Sequence, residues 1–264
     1  MRATFRFLAA TAAVALLAAS SASAATRERL SLDAGWLFHL GDVAPPTVKG
    51  HGMSYGSAKA GSAGGAAATD YDDSGWRRLD LPHDWVVEGP FDAGENASQG
   101  YRPRGIGWYR RYLQLPPSDR GRHIELQFDA IATLSQVWVN GIIVNRNWSG
   151  YNGRSIDITP YLRYGEDVNT IAVRVDADAQ EGWWYEGAGI YRHTWLVKRD
   201  AVHIATDGVH ADPVRKSGRW TVPVTVDVQS SAKAPHDAEL DVSLLDPAGR
   251  EVAKGQERVR VGAL

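Results

Sequence analysis

Ile124-Glu125-Leu126-Gln127-Phe128-Asp129 and Val137-Trp138-Val139-Asn140-Gly141-Ile142-Ile143-Val144 are the stretches whose reading decides the fold. In the first, apolar and polar residues alternate strictly, the period-2 pattern of a strand with one buried face. In the second, two β-branched and aromatic runs flank Asn-Gly, a dipeptide that accepts positive φ at both corners of a two-residue hairpin turn. Working outward, the same alternation predicts strands at 107–115, 168–176, 191–198, 219–229 and 238–246. Asp246-Pro247-Ala248-Gly249 reads as a turn into a further strand starting near Arg250. Helical periodicity is nearly absent beyond the N-terminal stretch, so the chain is expected to be all-β.

Composition shifts divide the chain. Residues 51–69 are rich in Gly, Ala and Ser, with nothing large to bury, and are expected to form a mobile surface insertion. A boundary is expected near Asp200. Before it the chain is aromatic and loop-rich; after it Val222, Val224, Val226 and Val228 begin a plain alternating pattern. Residues 201–264 fall short of the roughly 100 residues of a whole immunoglobulin-like sandwich, so this second domain is expected to be incomplete.

The N-terminus reads as an address. Arg2 and Arg6 give a positive start, Phe7 to Leu17 is apolar, and Ala22-Ser23-Ala24 is a small-residue cleavage pattern. Residues 1–24 are therefore expected to be a bacterial signal peptide, with the mature chain periplasmic or extracellular. The apolar run is shorter than the about 20 residues that span a bilayer, so no membrane partner is expected. A net charge of −2 gives no reason to expect nucleic acid either. With no cysteine, thiol catalysis and Cys-ligated metal are excluded. The eight histidines show no metal-ligand spacing, and no cofactor is expected. Eight of the ten tryptophans fall between Trp76 and Trp195. Indole faces fill β-protein cores, and they also stack on the C–H faces of sugars.

Several motifs together resemble one family. Tyr71-Asp72-Asp73-Ser74-Gly75-Trp76 precedes Leu81-Pro82-His83-Asp84-Trp85, and Gly100-Tyr101-Arg102-Pro103-Arg104-Gly105-Ile106-Gly107-Trp108-Tyr109-Arg110 follows. Next come Phe128-Asp129-Ala130 with the Val137–Gly141 hairpin, Asp157-Ile158-Thr159-Pro160-Tyr161-Leu162, and Trp184-Tyr185-Glu186-Gly187-Ala188-Gly189-Ile190-Tyr191-Arg192. In order and spacing, over about residues 28–200, these are similar to glycoside hydrolase family 2 of the β-galactosidase type. The resemblance implies a jelly-roll, galactose-binding-domain-like sandwich over 25–200 and a partial immunoglobulin-like sandwich over 201–264. A catalytic (β/α)8 barrel would come next. Family hydrolysis is retaining and uses two glutamates of that barrel. The sequence contains neither the family's Asn-Glu dipeptide nor room for the barrel's about 250 residues. No catalytic residue is therefore expected here, and the expected partners are a β-galactoside or related carbohydrate and a barrel domain absent from this chain.

Three segments are candidates for sugar contact. Asn147-Trp148-Ser149-Gly150-Tyr151-Asn152 follows the hairpin and mixes an indole with amides and hydroxyls able to read sugar hydroxyls. In family relatives a loop here reaches over the barrel; where they carry an aspartate, this sequence offers Asn147, Ser149 and Asn152. Within Glu181–Glu186, adjacent Trp183 and Trp184 on a strand would face opposite ways, leaving one for the core and one for a ligand or neighbour; Trp184 is the candidate. Tyr101, Arg102 and Arg104 sit on a Gly- and Pro-punctuated loop that displays side chains at a sandwich end, where an arginine would equally pair with Asp84 or Glu88. His83 and Asp84 are expected to tie backbone donors after Pro82. A stand-alone carbohydrate-binding module and the remnant of a truncated gene stay open as alternatives.

Overall fold

A computed structural model of the chain describes residues 2–6, 27–47, 49–57, 59–178 and 182–263. The apolar run and cleavage pattern of the expected export signal, residues 7–24, lie outside these. Arg2–Arg6 forms β1, which pairs with a late strand. The chain divides into two compact units.

The larger unit, residues 28–120 and 124–198, is a sandwich of two antiparallel sheets. Its strands are β2 (Glu28–Ser31), β3 (Trp36–Leu40), β4 (Arg77–Leu79), β5 (Ile106–Gln114) and β6 (His123–Phe128). They continue with β7 (Leu134–Val139), β8 (Ile142–Asn147), β9 (Arg154–Asp157), β10 (Val168–Asp176) and β11 (Thr194–Arg199). One sheet has the order β4-β3-β5-β10-β7-β8, the other β2-β11-β6-β9. Alternation does what the sequence predicts. Ile124, Leu126 and Phe128 point inward from one sheet and Val137, Val139, Ile171 and Val173 from the other, all buried in one core. Full burial of such side chains stabilises by about 1.5–3 kcal/mol each. Asn140 and Gly141 adopt φ of 51° and 75°, as the expected hairpin requires. Asn140 also locks the turn inward, donating from Nδ2 to Asn169 Oδ1 at 2.8 Å and accepting from Thr170 N at 3.0 Å.

The Gly/Ala-rich insertion corrects an expectation. Residues 50–57 form helix α1 (Gly50–Ser57), and Gly65–Ala67 forms a 3-10 turn whose Ala66 and Ala67 are buried. These alanines pack on Trp108, which stacks on Trp138 with ring centroids 5.4 Å apart. The segment lacks large apolar residues because the indoles beneath supply the area and only small side chains let the backbone come close. Arg110, fully buried at 0% exposure, clamps it. Its Nη1 donates to the carbonyls of Ala66 at 2.5 Å and Ala68 at 2.8 Å, while Nε donates to Asp73 Oδ2 at 2.6 Å. At the other end Ala63 N donates to Gly141 O at 3.3 Å. A Cβ on Gly141 would lie 2.7 Å from Gly61 O, so the hairpin glycine also makes room for the insertion.

The second unit holds residues 199–263 with β1. Its strands are β12 (Val202–Ala211), β13 (Val214–Lys216), β14 (Arg219–Thr221), β15 (Pro223–Ser230), β16 (His236–Leu245) and β17 (Glu251–Val261). The single strand expected at 219–229 is split at Val222. Pro223, which has no N–H to donate, opens the second piece. Val224, Val226 and Val228 pack with Leu240, Val259 and Val261 in a core of their own. The β16–β17 hairpin carries charge pairs on its other face, Asp237 with Arg260 at 3.3 Å and Glu239 with Arg258 at 3.6 Å.

Candidate functional site

The site is built from three loops at one end of the sandwich, each shaped locally before it meets the others. In the first, Asn96 Oδ1 caps a 3-10 turn (Ala97–Gln99) by accepting from Ser98 N at 2.9 Å. Gly100 and Tyr101 then take φ of 72° and 54°. This reversal turns Gln99 inward to 1% exposure and leaves Tyr101 outside. In the second, Asn147 is buried; its amide donates to Ser149 O at 2.5 Å, and its Oδ1 accepts from Arg154. Tyr191 OH holds the loop from below by donating to Gly150 O at 2.6 Å. The third loop, residues 182–187, is pinned by Asp84. Asp84 Oδ1 accepts from Val86 N at 3.0 Å, capping the short helix α2 (Trp85–Glu88), and from Ala188 N at 3.1 Å. Its Oδ2 accepts from Tyr185 OH at 2.7 Å. Burial first, and then the Asp84 carboxylate, push the Tyr185 phenol well above its ordinary value.

Gln99 and Arg104 join the loops. Gln99 Oε1 accepts from Arg104 Nη1 at 2.6 Å and from Glu186 N at 3.2 Å, and Gln99 Nε2 donates to Gly182 O at 3.2 Å. Arg104 also donates to Ala177 O and to Thr133 Oγ1, and pairs with the buried Glu186 carboxylate at 3.9 Å. On the surface above, Trp184 Nε1 donates to Tyr151 OH at 2.8 Å, and Tyr151 OH reaches Glu186 Oε1 at 3.4 Å. The outcome is an aromatic rim. Trp184 is 58% exposed, and Tyr151, Asn152 and Tyr101 are exposed as well.

Residues 31–200 match the family model described as the sugar-binding domain of glycosyl hydrolases family 2. The chain belongs to glycoside hydrolase family 2. This family 2 chain is 35% identical over 240 residues to the β-galactosidase BoGH2A of Bacteroides ovatus, an alignment covering 89% of it and 26% of that protein. A β-glucuronidase of Formosa agariphila is 26% identical over 218 residues, covering 73% of this chain and 22% of the relative. Among solved structures, a β-glycosidase from Bacteroides vulgatus superposes with a TM-score of 0.72 at 30% identity, over 88% of this chain and 28% of that one. The family 2 chain thus spans about a quarter of the length of the Bacteroides ovatus relative.

The family 2 domain brings Tyr151, Trp184 and Arg104 into one hydrogen-bonded network, but not in equal roles. Arg104, Asn147 and Ser149 spend their polar atoms on the protein. Tyr151, Asn152, Trp184 and Tyr101 face outward. Trp148 makes none of these contacts and lines a separate cleft. The pairing expected for Trp183 and Trp184 does not hold: residues 182–184 are bends rather than strand, and Trp183 is 91% exposed, so neither indole enters the core. Arg104 pairs with Glu186 rather than with the expected Asp84 or Glu88, and Gln99, which also fixes it, lies outside the three candidate segments. The signal for these partners is weak because their contacts run to residues as far as 87 positions away.

His83 also departs from expectation. Its ring, not its neighbours' backbone, is the connector. Arg77 Nη2 lies 2.6 Å from Nε2 and Tyr109 OH lies 2.7 Å from Nδ1. The ring packs edge-on against Phe38, and Glu88, held down by Arg77, lies 3.4 Å from Nε2. Burial lowers the His83 pKa below its ordinary 6.5, outweighing the pull of Glu88. Between that lowered value and 6.5 the unfolded chain binds a proton that the folded chain refuses, so acid favours unfolding there. Stability should therefore fall as pH drops below 6.5. Urea midpoints at pH 7 and pH 5 should differ less in His83→Gln than in the native chain; an unchanged difference would exclude His83 as the source. Among the described residues no group of three His, Asp or Glu could hold a metal ion, and no helix is long and apolar enough to cross a membrane.

Proposed function

We propose that this chain is the substrate-positioning, N-terminal part of an exported glycosidase of the β-galactosidase type. Hydrolysis is assigned to a barrel outside residues 1–264, through its two glutamates. The observation that carries the reading is the aromatic rim, where Trp184 and Tyr151 stand exposed and hydrogen-bonded beside a buried Arg104–Gln99–Glu186 network. Aromatic faces held in place by a buried polar network suit the C–H surface of a sugar ring, and the exposed Tyr151 hydroxyl and Asn152 amide can meet its hydroxyls. The 35% identity to a β-galactosidase supports the galactoside preference, and relatives of both galactosidase and glucuronidase name share the architecture. Arg2, Arg6 and the apolar run that follows support export.

The test separates positioning from turnover. Titrated with methyl β-D-galactopyranoside, the chain should bind weakly, and Trp184→Ala should weaken that binding about tenfold, some 1.4 kcal/mol. The chain alone should release no nitrophenol from nitrophenyl β-D-galactoside. Turnover that co-purifies with the chain would place catalysis within these residues and sink the assignment to a barrel.

A further inference from the structure

The outer face of the six-stranded sheet is only partly roofed. The insertion covers Trp108, but the far end of the sheet stays open. There the strand register sets Arg146, Gln136 and Arg174 side by side across β8, β7 and β10, with Leu134 and Asp176 paired in the row beyond. Residues in register across adjacent strands project from the same face. Trp148, just past the end of β8 and 77% exposed, closes these side chains into a cleft of about 180 Å³.

Within the cleft, commitment is uneven. Arg174 is fixed by Asp42, at 2.8 Å and 3.0 Å, and by Asp176 at 3.5 Å. The Gln136 and Arg146 side chains have no hydrogen-bond or ion-pair partner among the described residues. The Asp42–Arg174–Asp176 group carries one net negative charge and Arg146 one positive charge, so the field does not favour an anion. What remains is a close mixture of donors (Arg146, the Gln136 amide) and acceptors (the Gln136 carbonyl, the Asp176 carboxylate) beside an apolar ring. Hydroxyl groups, which donate and accept at once, match that mixture. The volume is below the roughly 300 Å³ at which drug-sized pockets begin, which limits the occupant to about one ring.

We propose that this cleft is a second sugar subsite, taking one neutral pyranose ring against Trp148 with its hydroxyls on Gln136, Arg146 and Asp176. It does not depend on the rim at Tyr151 and Trp184. The test begins with the Trp184→Ala chain, which removes the rim's indole. Binding of methyl β-D-galactopyranoside, followed by saturation-transfer NMR, should persist in it. Adding Arg146→Ala or Trp148→Ala should then raise the Kd about tenfold. Sodium D-galacturonate should bind no tighter than the neutral sugar. All three replaced side chains are exposed, so the melting temperature should hold in every variant. Binding lost with Trp184→Ala alone would overturn the cleft while leaving the rim intact. Binding indifferent to Arg146→Ala and Trp148→Ala, or tighter for galacturonate, would overturn it as well.

Discussion

Arg110→Ala is expected to destabilise the sandwich by about 3–5 kcal/mol, the range for breaking a buried ion pair from one side. Three losses coincide. Asp73 keeps its charge without its 2.6 Å partner, and two carbonyls of the insertion lose their donor. Tyr112, which donates to Asp73 at 2.6 Å, cannot compensate a full charge. At roughly 2–4 °C per kcal/mol for a domain of this size, the melting temperature should drop by about 6–20 °C. Pairing Arg110→Ala with Asp73→Ala should recover part of the loss, because the stranded carboxylate goes with it. A drop of less than 2 °C for Arg110→Ala would show that the clamp holds nothing.

Arg104→Ala is expected to cost a similar amount, about 3–5 kcal/mol, through a different route. Its guanidinium is the shared donor for Gln99, Thr133 and Ala177 and the cation beside the buried Glu186 carboxylate. Removal leaves that carboxylate unneutralised under the rim. Loop 182–187 should then exchange its amide hydrogens faster, as a region that opens locally, and galactoside binding should weaken although the Arg104 guanidinium is engaged by Ala177, Gln99 and Thr133. Arg104→Lys keeps the charge but lacks the planar fork needed to serve several acceptors together, so its stability should fall between the two. Unchanged exchange at residues 182–187 in Arg104→Ala would contradict the role given to this residue.

Much of the fold was readable because it depends on local rules. The alternation around Leu126 and the Asn140–Gly141 turn need only neighbours a few residues away, and the structure follows both. The insertion was misread for a physical reason: packing depends on the sum of two surfaces, and Ala66 and Ala67 look empty until Trp108 lies beneath them. Arg110 shows the same limit, reading as one more charged residue on a strand until Asp73 and the insertion carbonyls meet it. In the candidate site, residue types named three loops that the fold brings together at Gln99, Tyr151 and Glu186. They did not show which side chains would be used up internally, because Arg104 and Asn147 differ from Asn152 only in partners that the folded chain supplies.

The roof over Trp108 also divides the insertion into parts with different freedom to change over generations. Helix Gly50–Ser57 and the turn after it lie outside the clamp, where added or lost residues cost little because no buried backbone is disturbed. Between Gly61 and Ala68 the chain is tied to Gly141, Trp108 or Arg110 at Gly61, Ala63, Ala66, Ala67 and Ala68, so a change of length there shifts those contacts. A stretch of uniform, simple composition can therefore drift at one end and be held fixed at the other.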